Sequence, residues 1–250
     1  MPNFRSDGKC YGVPAEENDQ HCSQLKLARC RYAVMPLLLC VLLLEHAERS
    51  DGLTMVTMTT DPVDVLARAL EQMRALITQV RPDQTSLPTP CKSWNVRALL
   101  DHVVADMPRF IDAAHGGQPD YSSAMPSVAP NWAAEFARQS DELLMVWRDA
   151  RDLAKLKAGE GPREFQPMQV AEIAVHAWDL AAPLGLTSEL DPDVAEYSAE
   201  WMGPMLVPEY RGSEADGKAF GPLVEVPADA PAYERLVGIS GRDPSWAPAT

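Results

Sequence analysis

The stretch PMQVAEIAVHAWDLA, residues 167–181, decides the fold of this chain. Apolar side chains occupy almost every position around it, and a helix that is apolar nearly all round lies inside a protein rather than at its surface. Three ionisable residues interrupt the pattern: Glu172, His176 and Asp179. Because they are spaced four and three residues apart, they project from one face of a helix and can meet at a common point. Since burying them without partners is costly, the stretch predicts a polar site inside a helical core.

A divalent cation is one partner that would neutralise such a site. A carboxylate and a neutral imidazole four residues apart can both reach one ion. His102, in the sequence LLDHVV of residues 99–104, lies next to the apolar face of another predicted helix and is the other histidine expected in the core. We therefore predict His102, Glu172 and His176 as metal ligands, a set that leaves open positions for water or substrate. The donor types suit zinc, nickel, iron or manganese.

Ordinary structural roles compete with each of these assignments. Glu-x3-His pairs also form simple side-chain hydrogen bonds on helices. Asp179 is expected to orient a metal-bound imidazole or to form a salt bridge rather than to bind the ion itself. Cys91, which follows Pro90 just ahead of a predicted helix, fits either a nucleophile or a packed structural thiol. The basic side chains of the C-terminal loops fit either an anionic substrate or backbone carbonyls; they are Arg211, Lys218 and Arg242.

The spacing of apolar residues predicts four long helices. The first begins with Asp61 as its cap and ends at Pro82, and Ser93 is expected to cap the second. A third helix is predicted over residues 131–157, and a fourth begins near Pro167. The Gly- and Pro-rich connection between the second and third helices is much longer than a link between adjacent antiparallel helices. We therefore predict an all-α four-helix bundle with a long crossover between helices 2 and 3.

Three segments are expected along the chain. Residues 1–57 show no sustained period and are predicted to be a disordered leader or a mis-assigned translation start; their apolar run is too short for a membrane span, which needs about 20 residues. Residues 58–207 form the predicted metal-binding bundle, including a shorter helix that follows Asp191. Residues 208–250 are expected to be a loop-rich extension packed on the bundle, with one short helix over residues 232–237.

Composition restricts the classes of partner. The formal net charge of −14 argues against nucleic acid and against an anionic membrane surface, because acidic surfaces repel phosphate. Four of the five cysteines precede residue 58, so the main body holds a single thiol and no disulfide framework. This pattern favours a cytoplasmic protein. Exposed apolar residues on a bundle of this size are compatible with a homodimer.

Three motifs resemble those of one known family. They are TPCKSWNVRALLDH (residues 89–102), EIAVHAWDLA (residues 172–181), and a tail with FGP, VPADAP and GRDP between residues 220 and 244. Together they resemble actinobacterial mycothiol-dependent maleylpyruvate isomerase-like proteins of the DinB superfamily, over roughly residues 60–246. The resemblance implies a DinB-like bundle with its metal ligands at His102, Glu172 and His176. It also implies an ion, often zinc, that activates the thiol of mycothiol or a similar small cofactor.

Two functions follow from these expectations. The first is a metal-dependent, thiol-dependent transferase or isomerase that joins a small-molecule thiol to an electrophile. The second is a non-catalytic metal-binding or ligand-sensing protein that uses the same ion without turnover. A bundle without an ion, whose Glu172 and His102 only hydrogen-bond across the core, is a third reading. The isomerase itself has an additional C-terminal domain that this chain is not expected to contain, so maleylpyruvate is not predicted as the substrate.

Overall fold

The computed structural model describes residues 61–120, 131–156, 167–213, 218 and 220–248, with the side chains of residues 151–156 excepted. Short 3-10 turns occur at Pro82–Gln84, Thr187–Glu189 and Pro208–Tyr210. The predicted all-α class is confirmed for this part of the chain, whereas the predicted leader, residues 1–57, lies outside it. Within the described residues, six α-helices follow one another in the order α1 Pro62–Gln79, α2 Val96–Ala114, α3 Trp132–Leu156, α4 Pro167–Leu184, α5 Pro192–Met205 and α6 Ala232–Ile239.

Side-chain caps set the starts of the first two helices. Oδ1 of Asp61 accepts a hydrogen bond from the backbone N–H of Val63 at 2.9 Å, as the sequence predicted. The predicted cap of α2 was wrong, because Asn95 rather than Ser93 caps this helix, accepting from the backbone N–H of Ala98 at 2.9 Å. The reason is that Asn95 is extended and forms an isolated β-bridge with Pro88. The chain therefore becomes helical only at Val96.

The four long helices form a bundle of non-sequential order. α1 packs against α3 and α4, and α2 packs against the same two helices. α1 and α2 therefore lie on one diagonal of the bundle and α3 and α4 on the other. Nε1 of Trp132 at the start of α3 donates to Oδ1 of Asp101 near the start of α2 at 2.8 Å, so these neighbouring helices run parallel. The connection between them therefore leads from one end of the bundle back to the other, as the predicted crossover does. The connection from α1 to α2, of nearly equal length, joins the two helices on one diagonal.

The position of α4 explains its apolar sequence. This helix contacts α1 and α2 on the bundle side and α5 and α6 on the other side, so it is covered all round. Fourteen of its eighteen residues are buried. The few polar groups on α4 consequently find their partners inside the protein: Gln169, for example, accepts from Nε1 of Trp147 and donates to the backbone carbonyl of Phe110.

The C-terminal segment returns to the N-terminal end of α2 and to α4. α6 packs on α5 and α4. Beyond it, Gly241 adopts a φ of 81° and lies so close to Gly221 that a Cβ on either residue would meet the backbone of the other at 2.6–2.7 Å. This contact directs the next residue, Arg242, into the protein, where it is 9% exposed. In the described part of the chain, no helix combines the length and the apolarity needed to cross a membrane.

Candidate metal centre

The structure brings His102, Glu172 and His176 together between α2 and α4. Oε1 of Glu172 lies 3.3 Å from Nε2 of His102 and 3.1 Å from Nε2 of His176. One donor atom from each of the three residues falls within 4.8 Å of the other two. Both histidines are buried, at 4% and 2% exposure, while Glu172 is partly exposed. The three side chains therefore converge from two helices on one point that keeps a path toward solvent.

These separations fit a bound ion. Two ligands held about 2.0–2.1 Å from a tetrahedral zinc ion lie about 3.3 Å apart, close to the two Nε2 to Oε1 distances. The donor set is also suitable, since imidazole nitrogen and carboxylate oxygen together bind zinc and other first-row divalent ions. The geometry thus allows a cation between the three atoms without a large movement of either helix.

The hydrogen bonds of His176 require a positive charge at this point. Nδ1 of His176 lies 2.9 Å from Oδ2 of Asp179, one turn along α4, and donates its hydrogen to that carboxylate. In the neutral ring, Nε2 then carries a lone pair, which faces the lone pairs of Glu172 Oε1 at 3.1 Å. Two acceptors in contact repel each other unless a proton or a cation lies between them. The cluster consequently needs one of the two.

Arg242 holds Asp179 in place from the C-terminal segment. Its Nε donates to Oδ1 at 2.8 Å and its Nη2 donates to Oδ2 at 2.8 Å, a two-pronged ion pair. Asp179 is completely buried. The chain of contacts therefore runs from Arg242 through Asp179 to His176 and ends at the candidate ion position.

Cys91 joins the same network at the end of the loop before α2. Its Sγ lies 3.2 Å from Oδ2 of Asp179 and 3.3 Å from Nη2 of Arg242. Cys91, His176 and Asp179 form a second close group of potential ligands. The guanidinium of Arg242 already neutralises this group, so we assign it no ion. Of the two readings of Cys91 left open by the sequence, the packed thiol agrees with these contacts.

A second acidic residue lies beside His102 on α2. Oδ2 of Asp106 is 3.4 Å from Nε2 of His102, and its Oδ1 accepts from Nη1 of Arg109 at 2.8 Å. Asp106 is only 3% exposed. On the other side, the ring of Trp94 packs against His102 with ring centroids 4.4 Å apart. Asp106 and Trp94 thus both contact the imidazole of His102.

Burial and charge pairing shift the ionisation of these groups. Burial opposes ionisation of Glu172 and Asp179, yet the pKa of each carboxyl lies well below its usual range. For Glu172 the cause is the charge of His176 with hydrogen bonds from both imidazoles, and for Asp179 it is above all the charge of Arg242. Burial also disfavours charge on His176, but Glu172 and Asp179 raise its pKa well above the ordinary value. Without an ion, a second proton on His176 therefore separates the facing acceptors, and a metal would displace it.

For Asp106 and Cys91, burial favours the uncharged form and is not overcome by the neighbouring charges. Burial raises the pKa of Asp106, against the opposing effects of His102 and Arg109. Burial and the nearby charge of Asp179 raise the pKa of the Cys91 thiol. Cys91 therefore lacks the lowered pKa that marks reactive thiols.

Sequence reasoning missed several contributors to the site. Arg242 was considered for an anionic substrate, but it is buried against Asp179 and is not available for that role. Asp106 and Arg109 were not singled out, although His102, Asp106 and Arg109 repeat on α2 the four-and-three spacing that drew attention to α4. That repeat was the available signal. No pattern in the sequence indicated that the loop at Cys91 meets the segment at Arg242.

Two other basic residues from the C-terminal loops are placed outside the site. Arg211 donates to the backbone carbonyls of Leu206 and Gly221. Nζ of Lys218 donates to the backbone carbonyl of Glu209 at 2.6 Å. Both therefore follow the structural reading, in which basic side chains satisfy carbonyls.

Comparison with known proteins identifies the family of this chain. The family model for the mycothiol maleylpyruvate isomerase N-terminal domain matches residues 66–181, a range that contains all three candidate ligands and Asp179. Two uncharacterized proteins from two strains of Mycobacterium tuberculosis are each 31% identical over 185 residues, which is 73% of this chain and 98% of each relative. No solved structure gives a significant match. This chain belongs to the mycothiol maleylpyruvate isomerase N-terminal domain family.

Proposed function

We propose that the protein binds one divalent metal ion, preferably zinc, through His102, Glu172 and His176. We further propose that it uses this ion in a thiol-dependent transfer or isomerisation of a small electrophile. The observation that supports the metal site is the contact at 3.1 Å between Nε2 of His176 and Oε1 of Glu172, two acceptors that need a proton or a cation between them. Family membership supports a thiol of the mycothiol type as the cosubstrate.

Each residue of the proposed site has a defined role. His102 and His176 supply neutral nitrogen ligands, and Glu172 supplies one negative charge. Asp179 fixes the tautomer of His176 by accepting the Nδ1 hydrogen, so that Nε2 is directed at the ion. When bound, the cation would lower the pKa of a coordinated thiol and present it as a nucleophile. Three protein ligands leave the coordination position that such a thiol requires.

The proposed activity is tested by thiol-dependent loss of an electrophile. Purified zinc-loaded protein is incubated with a maleic-acid-type or halogenated aromatic electrophile and a low-molecular-weight thiol such as mycothiol. We expect consumption that needs both the metal and the thiol and that falls at least about a hundredfold in His176→Ala. His115→Ala, an exposed histidine at the end of α2, is the matched control and should retain the full rate.

A non-catalytic metal-binding or ligand-sensing protein is the second candidate. It shares the ion and the three ligands, and it predicts metal binding with no thiol-dependent turnover of any electrophile in that assay. Stoichiometric metal without turnover would favour this candidate, whereas absence of metal from carefully purified wild type would contradict both.

A further inference from the structure

α2 carries a second polar row whose middle member has no role in the proposed ligand set. His102, Asp106 and Arg109 lie four and three residues apart, so they share one face of the helix. Of these three residues, only His102 belongs to the group of potential ligands formed with Glu172 and His176. Asp106 is a buried carboxylate at the edge of the candidate metal centre, and burying a charge is costly without a purpose or a partner.

The two aspartates of the site touch their histidines on different nitrogens. Asp179 contacts Nδ1 of His176, the nitrogen turned away from Glu172. Asp106 instead contacts Nε2 of His102, the nitrogen that faces Glu172, with its Oδ2 at 3.4 Å. Asp179 therefore contacts the nitrogen of His176 that points away from the ion position, whereas Asp106 lies on the side of the His102 imidazole where the ion would be held.

Arg109 orients this carboxylate. Its Nη1 donates to Oδ1 of Asp106 at 2.8 Å, which leaves Oδ2 as the oxygen that faces the centre. The Arg109 side chain is itself only 11% exposed, so solvent screens the pair weakly. An ionised carboxylate oxygen accepts hydrogen bonds and donates none. Its position next to an open coordination site would favour ligands that carry a hydrogen and repel anions that lack one.

We propose that Asp106 determines the ligand specificity of the open coordination position. Its Oδ2 accepts a hydrogen bond from the atom that binds there, so the position takes a thiol or a water-like ligand and discriminates against anions without a hydrogen. The hydrogen that a thiol brings lies between its sulfur and Oδ2 in the complex, so binding changes neither the number of protons nor the charge. This inference rests on the proposed metal site.

Cobalt-substituted protein provides the test, because the visible absorption of Co²⁺ reports on its ligands. Wild type, Asp106→Asn and Asp112→Asn are loaded with Co²⁺ and titrated separately with 2-mercaptoethanol and with azide. Asp112 is exposed on the same helix, so Asp112→Asn removes the same charge from α2 without changing the site. We expect wild type and Asp112→Asn to bind the thiol in preference to azide. In Asp106→Asn, thiol affinity should fall and azide affinity should rise, each by at least about tenfold, as for the loss of a hydrogen bond to a charged acceptor.

The outcomes separate this inference from the proposed function. Wild type that takes up no cobalt contradicts the metal site and the inference together. Cobalt-loaded Asp106→Asn with unchanged preferences contradicts the inference alone. Loss of cobalt in Asp106→Asn would make Asp106 a ligand and would also overturn it. If that variant fails to fold, the wild type still decides the question, because a preference for azide over 2-mercaptoethanol contradicts the inference.

Discussion

Nδ1 of His176 lies 2.9 Å from Oδ2 of Asp179, and the two residues are one turn apart on α4, a helix with fourteen of its eighteen residues buried. This contact decides which nitrogen of His176 carries the hydrogen and which is free to bind an ion. It links the candidate metal centre to Arg242, more than sixty residues further along the chain.

Asp179→Asn should weaken metal binding without removing a ligand. The amide has half the acceptor capacity and no charge, so it orients His176 less well, and such partners typically contribute about 10–100-fold to metal affinity. Competition with a chromophoric chelator measures the zinc dissociation constant. Asp193→Asn, in an exposed position at the start of α5, is the control and should match wild type. Equal affinities in all three proteins would show that Asp179 has no part in the centre.

Arg242→Leu should destabilise the protein strongly. The substitution leaves Asp179 charged and fully buried without its main partner, and breaking a buried pair in this way costs about 3–5 kcal/mol. Urea denaturation of the metal-free protein gives the free energy of unfolding. Arg68→Leu breaks an exposed ion pair with Asp191 and should cost at most about 1 kcal/mol. Similar losses in the two variants would contradict the assignment of Arg242 to the core.

The stability of the metal-free protein should fall in acid for an identifiable reason. The pKa of Asp179 in the folded state lies below its value in the unfolded chain, which is about 3.9. Its contribution is therefore complete above about pH 4 and is lost as the pH falls toward the folded-state pKa. Urea midpoints measured between pH 6 and pH 2 should fall more steeply for wild type than for Asp179→Asn. Parallel curves would exclude this carboxylate as a source of acid sensitivity.

Gly241→Ala should be destabilising, whereas Gly203→Ala should not. Alanine at position 241 would have to adopt a φ of 81°, and its Cβ would lie 2.6 Å from the backbone of Gly221. Together these two effects should cost at least about 2 kcal/mol. Gly203 is exposed within α5 with no atom near the added Cβ, so alanine should stabilise the helix by about 0.5–1 kcal/mol. Thermal and urea unfolding of both variants measure the difference. A tolerated alanine at position 241 would contradict the close approach of the two glycines.

Local signals in the sequence were sufficient to predict where the long helices lie. The apolar period of α1, its Asp61 cap and the apolar surface of α4 each depend on residues close together in the chain, and the structure confirms them. The cap of α2 was misplaced by two residues because the bridge between Pro88 and Asn95 is a pairing that periodicity does not contain. The division into a leader, a bundle and a C-terminal extension stays a prediction.

The site could be predicted only in part. Glu172, His176 and Asp179 share one helix, so their spacing placed them together. His102 was found because an ionisable residue beside an apolar face is unusual. The contact of Arg242 with Asp179 was not predicted, because a basic residue in a Gly-rich loop has many possible partners and this contact depends on how the whole C-terminal segment packs. The role of the three ligands as a metal site remains a proposal.

The most direct test of the account is the metal content of the purified protein by elemental mass spectrometry. It should be measured in wild type, in His102→Ala, Glu172→Ala and His176→Ala, and in Cys91→Ala, whose thiol lies in the neighbouring group that Arg242 neutralises. We expect close to one divalent ion per chain in wild type and in Cys91→Ala, and little or none in the three ligand variants. Wild type without metal, or metal retained in the folded ligand variants, would contradict it.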